Sequence, residues 1–153
     1  MNKQSKLTRR NFIALSVVGV GGMCLFSQCS GSPQSRWRYL TEQESTLLDA
    51  LVEQIIPTDQ WPGGKDAGVT NYIDTQLTGF YTKYQEIYRK GLMAIQETCK
   101  VKFKKRFEQL PWDEQTRFLE AMERGKMEGE NWKDGLDREF FGLIKDHSLQ
   151  GYY

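Results

Sequence analysis

Cysteine and histidine are nearly missing from this sequence, whose 153 residues hold three cysteines and one histidine. Cys24 and Cys29 fall near the start, so the body keeps only Cys99, and one thiol cannot build a disulfide framework. Zinc and iron–sulfur sites generally draw on several Cys or His ligands, which Cys99 and His147 alone do not supply. The chain also lacks a C-x-x-C-H haem attachment site, H-E-x-x-H, G-x-S-x-G and, outside its first 29 residues, any glycine-rich phosphate loop. No stretch alternates apolar and polar residues over a convincing strand length. The longest apolar run, Phe12 to Phe26, is too short and too glycine-rich for a secure transmembrane helix.

Charge is unevenly spread. Lys3, Lys6, Arg9 and Arg10 stand in residues 1–29 with no acid, although the whole chain sums to +1. Setting those four aside leaves 17 basic against 20 acidic residues, so the remainder is mildly acidic. A basic segment ahead of a weakly apolar run is the pattern of an export signal. Thr8-Arg9-Arg10-Asn11-Phe12-Ile13 goes further and resembles the twin-arginine signal, with Arg9, Arg10 and Phe12 as its readable residues. That signal is an address for proteins exported already folded. The competing reading is an ordinary signal peptide whose basic residues happen to be arginines.

Where the leader ends is open between three readings. Leu25-Phe26-Ser27-Gln28-Cys29 is a weak lipobox in which Cys29 would carry lipid; an uncleaved anchor and a cleavage site of unfamiliar form are the others. Lipid on Cys29 would tether the protein to a membrane without making it span. The sequence thus divides into an export signal at 1–29, a Ser, Gly and Pro-rich linker at 30–38, and a helical domain at 39–153.

The body is patterned for an all-α bundle of about five helices. Thr41-Glu42-Gln43-Glu44 is a capping box that opens the first, with Leu47, Leu48, Leu51, Val52, Ile55 and Ile56 on one face and Pro57 as its stop. Thr58 to Gly68 reads as a loop. The second helix is expected from Val69 to Thr78, with Tyr72, Ile73 and Leu77 inward. The third should run from Tyr81 to about Phe107, weakened by Gly91 by about 1 kcal/mol relative to alanine. The fourth opens at Pro111 and ends near Gly125. The fifth begins near Asn131, carries Trp132, Leu136, Phe140, Phe141 and Ile144, and reaches His147.

The candidate chemistry is thin. Cys99 reads as a small core residue and His147 as a cap or a satisfied packing residue. Asp59, Asp66 and Asp74 could form an acid/base set, but Asp59 after Pro-Thr suits a turn and Asp74 a helix surface. Lys100, Lys102, Lys104, Lys105 and Arg106 read as a solvated helix end that complements the terminal carbonyls, not as a nucleic-acid site.

Leu40-Thr41-x-x-Glu44, Leu51-Val52-x-x-Ile55-Ile56-Pro57-Thr58-Asp59, Ala67-Gly68-Val69 and Tyr72-Ile73-Asp74 resemble the gluconate 2-dehydrogenase subunit 3 family. Phe140-Phe141 and His147-x-x-x-Gly151-Tyr152-Tyr153 extend the resemblance over essentially the whole body. Members of that family usually continue past the Gly-Tyr-Tyr position with an Asp-Pro and Gly-Gly-Asn segment, whereas this sequence ends at Tyr153. The resemblance implies a small, non-catalytic subunit of a periplasmic dehydrogenase that oxidises a sugar, sugar acid or other alcohol. FAD would belong to a large partner subunit, with no cofactor in this chain, and a cytochrome c subunit would accept electrons. The twin-arginine translocation machinery would then carry both chains, since folded export lets a partner without a signal travel bound. Trp61, Tyr152 and Tyr153 are the expected partner contacts. The alternative is a stand-alone exported helical lipoprotein that serves as a protein-binding module.

Overall fold

The structure, a computed structural model, describes residues 36–153. Among them are five α-helices and no strand. Helix α1 spans Glu42–Ile55 and opens on the expected capping box: the Thr41 hydroxyl accepts from the Glu44 amide, and the Glu44 carboxylate accepts from the Thr41 amide at 2.9 Å. Its buried face is Leu47, Leu48, Leu51 and Val52, and it stops at Ile56, next to Pro57. Helix α2, Val69–Leu77, starts after Gly68, whose φ of 80° is a left-handed turn that glycine adopts freely.

A short turn of 3₁₀-helix, Thr82–Tyr84, leads into α3, Gln85–Phe103. This helix ends short of the expected Phe107, because Lys104 takes a left-handed φ of 58° and reverses the chain. The reversal lets Phe107 drop into the core from its own turn, Phe107–Gln109, where it meets Phe118 edge-on at 5.5 Å. Helix α4 is Trp112–Glu123, with Pro111 just before its first turn. The last helix, α5, is Leu136–Tyr152. It begins later than Asn131, since the backbone at Trp132, Lys133 and Asp134 is not helical, and it runs past His147 to Tyr152. Trp132 is nonetheless buried from that turn, its indole N–H donating to Thr98 Oγ1 at 2.9 Å.

Helix α5 touches each of the other four and organises the core. Its Phe140 lies over Gly91 of α3. A Cβ at Gly91 would stand 2.1 Å from the Phe140 ring, so the glycine that weakens α3 locally is what lets the two helices close.

One sequence expectation is overturned at Asp74. The carboxylate is not on a helix surface but 1 % exposed, and its two oxygens accept three backbone N–H groups, from Arg38, Tyr39 and Leu40, at 2.8–3.0 Å. A charge can be buried there because peptide donors replace water. The same grip holds the segment ahead of α1 onto the bundle, with Trp37 and Leu40 buried.

Candidate functional site

The loop between α1 and α2 is built on one carboxylate. Glu53, near the end of α1, accepts from the Thr58 amide at 2.9 Å, from the Thr58 hydroxyl at 2.6 Å and from the Lys65 amide at 3.2 Å. Burial acts to raise its pKa, but these hydrogen bonds and the Lys65 charge outweigh it and hold the carboxyl below its ordinary value. The Thr58 hydroxyl in turn accepts from the Gly63 amide at 3.0 Å. A Cβ at Gly63 would come within 2.4 Å of the Glu53 carboxylate, so the loop can fold this tightly only with glycine there.

On this base sits a smaller turn. Asp59 Oδ1 accepts from the Trp61 amide at 2.8 Å, and the Asp59 amide donates to the Trp61 carbonyl at 3.1 Å. The result is an indole held outward, 67 % exposed. The end of α5 completes the arrangement, where the Tyr152 hydroxyl donates to the Pro62 carbonyl at 2.9 Å. Tyr153 packs edge-on against Tyr152 at 5.1 Å and is 96 % exposed. Trp61 is far in sequence from Tyr152 and Tyr153, yet the Pro62 carbonyl joins its loop to Tyr152, against which Tyr153 packs edge-on.

Two features escaped the sequence reading, one at the base of this loop and one an exposed ring elsewhere. Glu53 is an ordinary charged residue of α1 until the loop folds back on it. Phe80 is 89 % exposed on the turn after α2, and the next residue, Tyr81, donates to Gln150 of α5 at 2.6 Å. An apolar residue beside Gly79, off any helical stripe, was the available signal for it.

The remaining candidates have structural employment. Cys99 is fully buried, and burial first, then the Glu108 charge, push its thiol up to about 12, so little thiolate forms. His147 is 3 % exposed; its Nδ1 lies 2.9 Å from the Tyr88 hydroxyl and its ring stacks on Tyr81 at 3.8 Å. Burial lowers its pKa more than neighbouring Asp146 raises it. Asp59 is used in the loop turn and Asp74 in the N-terminal grip, while Asp66 is exposed to solvent. Among the described residues, no group of three or more His, Cys, Asp or Glu is placed to hold a metal ion. Arg9, Arg10, Phe12 and Cys29 lie outside the described residues.

What this arrangement offers is therefore a surface. Ordering a loop costs backbone entropy, and here the cost is met to hold an aromatic ring in water instead of in the core. No curated protein and no solved structure matches the chain. Residues 42–153, most of its length, match the family model for gluconate 2-dehydrogenase subunit 3, and the chain belongs to that family.

Proposed function

We propose that this protein is the non-catalytic small subunit of a periplasmic FAD-dependent dehydrogenase acting on gluconate, a sugar or another alcohol. It supports export and assembly of the large flavin subunit, which holds the FAD, and a cytochrome c subunit takes the electrons. Family membership supports the place in a dehydrogenase complex. The Arg9-Arg10 leader supports export by the twin-arginine route.

The observation that carries the docking role is the exposed Trp61 on a loop whose backbone is held by hydrogen bonds. Interfaces take most of their energy from a few aromatic anchors, and an anchor fixed in its bound conformation loses less entropy on association. Glu53, Thr58 and Asp59 supply that fixation, and Tyr152 ties the loop to α5.

The test is copurification of the flavin subunit with the Trp61→Ala, Tyr152→Ala double variant. The expected result is at least a tenfold loss of complex, about 1.4 kcal/mol or more, with the helical circular dichroism unchanged. The chain purified alone should be colourless and without dehydrogenase activity. Yellow, active protein from this single chain would overturn the accessory role. A stable monomer with no flavoprotein partner in its native envelope would favour the stand-alone binding module.

A further inference from the structure

The basic cluster at the end of α3 is only half explained by the helix terminus. Lys100 and Lys102 lie in the last turn of α3, but Lys104 is the left-handed residue that ends it, and Lys105 and Arg106 follow the reversal. Lys126, from beyond α4, joins them. Lys100 and Lys104 form a ridge between two open depressions of about 540 and 850 Å³, the first also lined by Lys105 and Arg106 and the second by Lys102 and Lys126.

Carboxylates do not cancel these charges. Three line the depressions: Glu44 is taken by Arg89, while Glu97, which accepts only from the neutral Asn131 amide, and Glu128 stand against five lysines. Arg106 pairs with Glu108 at 3.0 Å, whereas none of the five lysines has an ion-pair partner among the described residues. Elsewhere Lys90, Arg124, Lys133 and Lys145 are each paired. Between Lys100 and Lys102, Val101 is 73 % exposed. The chain after residue 29 is acidic overall, yet five of its lysines without an ion-pair partner among the described residues line this one face.

We propose that this face rests on a bilayer surface rich in anionic phospholipid, with Val101 entering the headgroup layer and the lysines lying over the phosphates. Two features favour lipid over an acidic protein partner. Protein interfaces are enriched in arginine and aromatic rings and depleted in lysine, and all five unpaired cations on this face are lysine. The charges also spread along a ridge and do not converge on one point, which suits a diffuse field of headgroups. A cluster of four to eight basic residues is the usual signature of attraction to anionic lipid. Such a face supplies the second signal that a single acyl chain needs for stable anchoring. The proposal does not depend on the dehydrogenase reading.

The test is partition of the full chain onto vesicles of phosphatidylcholine alone and of phosphatidylcholine mixed with phosphatidylglycerol. Lys3, Lys6, Arg9 and Arg10 of the leader also attract anionic lipid, so a variant decides the matter. Each lysine near an anionic surface is worth roughly a fivefold gain in partition, so Lys100→Gln, Lys102→Gln and Lys105→Gln together should cost on the order of a hundredfold on the mixed vesicles and almost nothing on the neutral ones. The matching triple arginine variant should keep wild-type partition. Wild-type partition by the glutamine variant would overturn the proposal, as would equal loss on both kinds of vesicle or failure of the arginine variant to bind. Loss of the flavin subunit with vesicle binding intact would assign the face to protein and overturn it as well.

Discussion

Asp74 stabilises the entry to the fold by accepting three backbone hydrogen bonds with two oxygens, in a site almost closed to water. Asp74→Asn keeps the shape but replaces one acceptor with an amide donor that must face another donor. Hydrogen bonds to a charged group contribute about 1.5–3 kcal/mol each, and an unsatisfied buried donor adds to the loss, so the variant should be destabilised by about 3 kcal/mol. Chemical denaturation reads this as a lower midpoint at unchanged slope, and a shift below about 0.5 kcal/mol would make the carboxylate dispensable. Thr70, Ile73, Asp74 and Leu77 follow the i, i+3, i+4, i+7 pattern, and all four are buried. The stripe was therefore legible, yet an aspartate on it reads as surface unless a partner is known. Its partners are main-chain amides 34–36 residues upstream, which carry no side-chain signature. Glu53 was hidden in the same way, because two of its three donors are the Thr58 and Lys65 amides. Trp61 was visible as an aromatic residue in a Pro-Gly loop, but its exposure was not, since a loop tryptophan can equally close a core.

At the scale of the elements, local signals placed the helices well where they had local causes. The capping box and Pro57 bound α1, and Pro111 stands at the entry of α4. Helices α3 and α5 were misjudged at the ends set by tertiary packing, where Phe107 turns inward from a separate 3₁₀ turn and Trp132 from non-helical backbone. The seam between these two helices also carries the single imidazole of the chain. His147 faces Tyr88 and Tyr84, with Tyr81 stacked on it, and the charge that acts to raise its pKa is that of neighbouring Asp146. The Tyr88 hydroxyl, its own pKa raised chiefly by burial, stays protonated and can donate to Nδ1, which leaves the neutral ring its proton on Nε2. Because the folded pKa lies below the ordinary 6.5, the unfolded chain binds the proton more readily. This contribution to stability is complete above about pH 6.5 and declines as pH falls through that value toward the folded pKa. Unfolding midpoints of the wild type should therefore drop between about pH 7 and pH 5 more steeply than those of His147→Gln, whose side chain does not titrate. Parallel profiles for the two proteins would place the pH sensitivity in the carboxylates instead.

Taken whole, the chain distributes its charge unevenly. Residues 1–29 carry only basic charge, the remainder is acidic, and five lysines without an ion-pair partner among the described residues line the depressions at the end of α3, while Trp61, Tyr152 and Tyr153 are displayed on the loop after α1 and the end of α5. Under the proposed function this separation lets one short address serve two chains, because a partner held through the folded body needs no signal of its own. That division makes a whole-molecule prediction from two residues of the leader. Replacing Arg9 and Arg10 together by lysine keeps the charge of residues 1–29 at its present value but removes the planar guanidinium pair that a twin-arginine receptor would read under that function. Fractionation of cells carrying the double variant should find this chain in the cytoplasm and the flavin subunit stranded beside it, with the two still copurifying. Export of the flavin subunit while this chain stays behind would detach the partner's route from the leader. Undiminished export of both would reduce the leader to a general signal, since lysine serves that route as well as arginine and charge alone would then be what is recognised.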